Sequence, residues 1–200
     1  MRNNEQGRSM IEMLGVLAIV GVLSVGGIAG YSKAMNKFKA NKLIDQVTMT
    51  STNVKTVFSG QRDYNGLNLS IAAKVGALPA EMYKSNEISA LTSANVLHAF
   101  GGGVALTVGD LNAAGDNLAY LMTIKDVPAD ACIAVLTTDF GSDATVAYGV
   151  ADVSAVYSSA NGTADIAVPG DSTYPMPFSV VNAQLACDQG ANNVIYFKFK

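Results

Sequence analysis

The fold is decided by residues 7–32, GRSMIEMLGVLAIVGVLSVGGIAGYS, in which a single carboxylate precedes a long apolar run. No residue from Met13 to Ser32 is charged. As a helix rising about 1.5 Å per residue, these 20 positions cover ~30 Å, which is the thickness of the hydrocarbon core of a bilayer. An acidic residue costs about 2.5–3.5 kcal/mol at the middle of such a span and less towards its edge. The presence of Glu12 at this position therefore predicts that a positively charged group from outside the apolar run pairs with it.

Two other interpretations of this segment are open. In one, Arg2 and Arg8 begin a cleaved secretory signal whose small-residue cleavage site is Gly27-Ile28-Ala29. In the other, the segment is a plain membrane anchor. The secretory signal is disfavoured because Glu12 interrupts its apolar core and because helix-forming sequence continues past the cleavage site.

The helix is predicted to continue beyond the apolar run, since no proline or glycine occurs between Tyr31 and Gly60. In its second half, six apolar residues fall within an arc of about 100°, which is typical of a helix packed on a globular domain. One helix from about Ser9 to Ser59 is therefore predicted. Five glycines of the first half cost about 0.8–1.0 kcal/mol each relative to alanine, and close packing of helices in a membrane explains them. The apolar stripe consists of Ala40, Leu43, Ile44, Val47, Val54 and Phe58.

Charge is divided unevenly along the 200 residues. Residues 1–59 carry seven basic and three acidic side chains, whereas residues 60–200 carry six basic and thirteen acidic ones. Phosphate contacts need clustered lysine and arginine, so this acidic second part argues against nucleic-acid binding.

Motifs for catalysis or metal binding are not evident in the sequence. His98 is the only histidine, and the patterns G-x-S-x-G, H-E-x-x-H and S-x-x-K do not occur. We therefore expect no enzyme and no cofactor, and we interpret Gly101-Gly102-Gly103 as a turn rather than a phosphate-binding loop. Four loop aspartates are expected to be solvated, with calcium binding as the alternative. These are Asp139, Asp143, Asp165 and Asp171.

Two cysteines, Cys132 and Cys187, lie 55 positions apart. A membrane span that exports the rest of the chain places both in an oxidising compartment, where an even pair indicates one disulfide. Closing a loop of this length contributes about 4 kcal/mol in the chain-entropy model. Two buried free thiols are the alternative.

The remaining sequence predicts a mixed α+β domain. Helices are predicted near residues 71–76, after Pro128 with Asp126 as the cap, and over residues 179–187. β-branched and aromatic residues predict strands over residues 104–108, 118–124, 145–150, 153–157 and 193–200.

Residues 7–32 resemble the N-terminus of type IV pilins and pseudopilins, which have a polar leader ending in glycine, a nearby glutamate and an apolar helix. Arg8 stands where many members have Phe, Met or Leu. Further along the chain, four shorter stretches resemble sequences of the type IVb subgroup and occur in the same order. This subgroup includes the bundle-forming and toxin-coregulated pilins. The four stretches are Phe100-Gly101-Gly102, VPADAC at residues 127–132, Ala186-Cys187 and NVIYF at residues 193–197.

The resemblance implies how the chain is processed and folded. Residues 1–7 are the leader, a prepilin peptidase cuts after Gly7 and methylates the amine of Arg8, and Glu12 neutralises the amine of a neighbouring subunit. Residues 8–32 form the transmembrane and filament-core half of the helix, and residues 33–59 form its amphipathic half. Residues 60–200 form a periplasmic head with a disulfide-bounded region, 132–187. The implied fold is the α+β pilin fold, a long N-terminal helix packed on an antiparallel β-sheet.

The implied function is that of a structural subunit of a type IV pilus, serving adhesion, aggregation or mating contact. Such a chain resides in the bacterial inner membrane before the inner-membrane assembly machinery polymerises it into an extracellular homo-oligomeric filament. A minor pilin or a type II secretion pseudopilin is the alternative within the family. A membrane-tethered periplasmic binding module is the alternative from another class.

Overall fold

Helix α1 runs from Gln6 to Phe58 in the computed structural model, which describes residues 6–109, 115–140, 150–157, 179–187 and 193–199. The prediction of one long helix is confirmed. The helix ends at the predicted place because Ser59 and Gly60 form a turn in which the amide of Gln61 donates to the carbonyl of Phe58, 2.9 Å away. The chain divides into two units, residues 1–38 and residues 39–200.

The second unit contains a four-stranded antiparallel sheet. Its strands are β1 (Val104–Gly109), β2 (Ala119–Val127), β3 (Val150–Tyr157) and β4 (Asn193–Phe199), arranged in the order β1-β2-β4-β3. The strand predictions at 104–108, 118–124, 153–157 and 193–200 are confirmed in type. The strand predicted at 145–150 falls outside the described residues except for its last position, which begins β3.

The core forms where the apolar stripe of α1 and the inner side chains of the sheet share one cluster. Five of the six stripe residues are buried, and Ile44 is partly buried against the same cluster. The Tyr120 hydroxyl of β2 donates to the carbonyl of Ser51 at 3.3 Å, and its ring stacks on Phe199 of β4 at 5.1 Å between centroids. Burying a Leu, Val or Phe side chain contributes about 1.5–3 kcal/mol, so this stripe stabilises the attachment of the second half of α1.

The described residues of the second unit also form three short α-helices. Helix α2 (Leu69–Lys74) begins at Asn68, whose side-chain oxygen accepts from the amide of Ile71. Two 3₁₀ turns follow, Ala80–Met82 and Ser85–Ala90. Helices α3 (Ala129–Leu136) and α4 (Val180–Ala186) match the other two helix predictions.

The predicted capping role of Asp126 is wrong. Asp126 belongs to β2, where the pairing with β4 shifts register between Ile124 and Val127, and it has a positive φ of 58°. Pro128 is the residue that precedes α3, and it makes no side-chain capping bond. The strand therefore continues up to the proline, and the irregular pairing absorbs Asp126.

Gly101-Gly102-Gly103 forms a turn that packs closely against the backbone of two other segments, at Lys125 in β2 and at Ser93. A side chain at Gly102 would collide with the backbone carbonyl of Lys125 and the ring of His98, and one at Gly103 would collide with the carbonyl of Ser93. Glycine is therefore required at both positions for space, whereas Gly101 is required for its φ of +88°.

Gly102→Ala is expected to lower the free energy of unfolding by about 1–3 kcal/mol or more, because a methyl group forced against backbone displaces β2 from the turn. Urea unfolding of the full chain in detergent measures the effect. Gly60→Ala is the matched control, since nothing lies within 4 Å of its added Cβ and its φ is not in the left-handed region. Equal free energies of unfolding for Gly102→Ala and Gly60→Ala would contradict the close contact at Gly102.

Candidate assembly site

The first unit of the chain exposes every large apolar side chain between Met10 and Tyr31. From Met10 to Tyr31 these side chains are between 52% and 76% exposed, and the most apolar stretch has a mean hydropathy of 2.2 with none of it buried. Within the part of the chain that the structure describes, α1 is the one helix long and apolar enough to cross a membrane. A surface of this kind needs cover from lipid or from other protein molecules.

Glu12 lies on α1 at the start of this apolar surface, and Gly7 and Arg8 lie in the first turn of the same helix. Glu12 is exposed, and no cation among the side chains that the structure describes, which begin at residue 10, forms an ion pair with it. Two unit charges 4 Å apart attract by about 1 kcal/mol in water and by about 4 kcal/mol near a protein surface. Residues 1–5 of the predicted leader lie outside the described residues.

Five glycines on this half of α1 have no packing partner among the described residues. Nothing lies within 4 Å of a Cβ added at Gly15, Gly21, Gly26, Gly27 or Gly30. Their cost in helix stability is therefore not offset by any contact within the described chain. The space beside them allows another helix to approach closely, which is how small residues act in membrane helices.

A disulfide joins Cys132 of α3 to Cys187, the residue that follows α4. The two Cα atoms are 6.0 Å apart and both cysteines are buried, so the alternative of two free thiols is wrong. The bond connects α3 to the segment that leads into β4, a strand in the middle of the sheet. It therefore links two parts of the second unit that are 55 residues apart in sequence.

The sequence missed one positioning residue, Gln46. This side chain is buried although it lies outside the apolar stripe: its Nε2 donates to Glu81 at 2.8 Å, and its Oε1 accepts from the amide of Ala99 at 3.1 Å. Lys42 lies 2.9 Å from the other oxygen of Glu81, and the hydrogen bonds from Lys42 and Gln46 hold the pKa of Glu81 below its usual range. No sequence pattern marks Gln46, because its burial depends on the loop that crosses α1.

Of the other sequence-predicted candidates, the structure describes only His98 and Asp139. His98 is buried, with both ring nitrogens hydrogen-bonded to backbone. Asp139 lies beyond α3, whereas Asp143, Asp165 and Asp171 lie outside the described residues. Among the described ranges, no group of three or more His, Cys, Asp or Glu residues is placed to hold a metal ion.

One solved structure shares the fold of most of this chain. The crystal structure of a type IVb pilin from Salmonella typhi matches with a TM-score of 0.51 and 15% identity, covering 80% of this chain and 99% of that one. The fold is therefore the type IVb pilin fold, and the predicted fold class is confirmed.

Sequence comparison narrows this class to a family. The model of the Bundlin family matches residues 32–199. Two relatives, from Escherichia coli O127:H6 (strain E2348/69 / EPEC) and Escherichia coli O111:H-, are each 30% identical over 148 residues, which is 73% of this chain and 70% of theirs. Each is described as the major structural subunit of bundle-forming pilus. The chain belongs to the Bundlin family.

Family membership confirms the resemblance to type IVb pilins and the structural function that it implies. The chain is a pilus structural subunit, and its family is structural rather than enzymatic.

Proposed function

We propose that this chain is the major subunit of a type IV pilus and that it polymerises through residues 8–32. The observation that carries the proposal is the apolar half of α1, which is exposed from Met10 to Ser32, whereas the described residues of the second unit share a buried core. Both Escherichia coli relatives are major subunits of a bundle-forming pilus, which supports the major over the minor role. Adhesion, aggregation or mating contact is the proposed use of the filament.

The same apolar surface serves two successive states. Before assembly, residues 8–32 span the inner membrane, the amphipathic residues 33–59 follow, and residues 60–200 fold in the periplasm. Burial of each large apolar side chain in lipid contributes about 1.5–3 kcal/mol, which holds the subunit in the membrane. On assembly, helices of other subunits replace the lipid, and the five glycines let these helices approach closely. The inner-membrane assembly machinery drives this exchange.

Glu12 gives the assembly its register. Apolar contacts alone leave helices free to slide along one another, whereas a charge pair between two chains fixes their axial offset. The proposed partner is the terminal amine of a neighbouring subunit, which a prepilin peptidase creates by cutting after Gly7 and then methylates on Arg8. An arginine at position 8 is compatible with this location, because arginine side chains at a membrane surface can bury their apolar stem and keep the guanidinium among the headgroups.

Mass spectrometry of surface filaments from cells that make this chain tests the proposal. We expect this chain as the predominant component, with a methylated N-terminus at Arg8. A mature chain beginning near Gly30 would establish a secretory signal and remove Glu12 from the filament. A trace amount of the chain among other subunits would instead establish a minor pilin or pseudopilin. The membrane fraction of the same cells is the control for processing before assembly.

A further inference from the structure

We propose that His98 makes this subunit sensitive to mild acid, because it holds the turn of residues 98–103 (the His98 turn) against β2 only while its imidazole is neutral. This inference concerns the second unit alone and does not depend on how the chain assembles.

The hydrogen bonds of His98 require one particular neutral form of the ring. Its Nε2 is 2.7 Å from the carbonyl oxygen of Lys125, so Nε2 must carry a hydrogen. Its Nδ1 accepts from the amide of Phe100 at 3.1 Å, so Nδ1 must be unprotonated. The imidazolium carries a hydrogen on both nitrogens and therefore cannot accept from Phe100. With only 4% of the residue exposed, water cannot readily replace the lost bond.

The His98 turn connects β2 to α1 through several further bonds. The amide of Ala99 donates to Gln46 of α1 at 3.1 Å, and the amide of Lys125 in β2 donates to Gly103 at 2.9 Å. Within the turn, the amide of Gly101 donates to His98 at 2.8 Å. Because Gly102 packs directly on the His98–Lys125 hydrogen bond, the ring cannot shift without moving the turn. Protonation of His98 therefore weakens the contact between β2 and α1.

The charged groups around the ring do not offset its burial. Asp126 of β2 favours the charged imidazole, whereas Lys39 of α1 lies 5.8 Å from the centre of the neighbouring Phe100 ring. Lys42 of α1 and Glu81 of the first 3₁₀ turn pair with each other. Burial lowers the pKa of His98 below its usual value despite the bond to Lys125 and the Asp126 carboxylate.

The sign of the pH effect follows from this lowered pKa. A group that binds protons more weakly in the folded state stabilises that state fully above its unfolded pKa, which is about 6.5 for histidine. The stabilisation falls as the pH drops from about 6.5 to the folded pKa, and the unfolding constant rises by up to about tenfold for each pH unit in this window. Glu81 also has a lowered pKa, but its contribution is lost only as carboxylates titrate, below about pH 4.5.

Nitrogen-15 NMR of the full chain in detergent micelles, labelled at histidine, tests the proposal directly. His98 is the only histidine, so the spectrum contains one pair of ring nitrogens. We expect the Nε2–H form at about pH 7.5 and a titration midpoint below about 6.5. We also expect hydrogen exchange at the Phe100 amide, corrected for its intrinsic pH dependence, to accelerate as the ring protonates, by up to about tenfold per pH unit.

His98→Gln provides the matched variant, since its amide offers a hydrogen to Lys125 and stays neutral at every pH. We expect exchange at Phe100 in this variant to lose its extra acceleration between about pH 6.5 and pH 5, whereas Gly60→Ala retains it. A ring titrating at or above about 6.5, the Nδ1–H form, or identical exchange profiles in the wild type and His98→Gln would each overturn the proposal. If His98→Gln does not fold, the ring nitrogens of the wild-type chain still decide the tautomer and the midpoint.

Discussion

Glu12→Ala is expected to abolish filaments while the subunit still inserts into the membrane. The change removes a carboxylate that costs free energy beside lipid, so insertion is unaffected or improved. Assembly loses an ion pair worth about 4 kcal/mol in a partly desolvated setting, which corresponds to about a thousandfold in the affinity of one subunit for the next. Immunoblots of sheared surface filaments and of the membrane fraction measure the two effects separately.

Two further substitutions separate charge from shape at Glu12. Glu12→Gln keeps the size of the side chain and is expected to fail like the alanine variant. Glu12→Asp keeps the charge on a shorter side chain and is expected to retain part of the assembly. Normal filament yield from Glu12→Ala would contradict the charge pairing and would favour polymerisation by apolar packing alone.

Loss of the Cys132–Cys187 disulfide is expected to lower the free energy of unfolding by about 4 kcal/mol, because the bond restricts the unfolded chain over a separation of 55 residues. Domains are commonly stable by only about 5–15 kcal/mol, so the loss is a large fraction of the total. Urea unfolding of the full chain carrying Cys132→Ser and Cys187→Ser in detergent measures the effect. Less protein in the membrane fraction is the corresponding result in cells.

Reduction of the wild-type chain is the control that distinguishes the bond from the packing of the two side chains. Both cysteines are buried, so a serine hydroxyl adds its own cost at each position. The reduced wild-type chain is therefore expected to lose about 4 kcal/mol, and the double variant at least as much. Unchanged stability after complete reduction would contradict the stabilising role of the disulfide.

Features with a local periodicity could be predicted from the sequence. The apolar run and the stripe from Ala40 to Phe58 follow from spacing along one helix, and both are present in the structure. The terminal strand β4 also follows from its own alternation, since Ile195 and Phe197 are buried while Tyr196 is less so.

Features that depend on which segments cross in space could not be predicted. Gln46 lies on the polar side of α1 by spacing, and only the loop carrying Glu81 and Ala99 buries it. The hydrogen bond of His98 and the space limit at Gly102 also depend on a distant segment, because both residues lie against the carbonyl oxygen of Lys125 in β2. The sequence predicts Asp126 as a helix cap because it stands shortly before Pro128, whereas long-range pairing of β2 with β4 keeps it in the strand.

The position of β4 between β2 and β3 has a consequence for biogenesis. Strands β1 and β2 are neighbours in sequence and can pair as a hairpin early, but β3 pairs with β4, which follows it in the chain. While the chain is being made, β2 therefore presents an open edge until β4, the last of these four strands in the sequence, becomes available. An open edge can recruit a strand from another nascent molecule, so the pairing of β4 with β2 also protects this edge of β2 from misassembly.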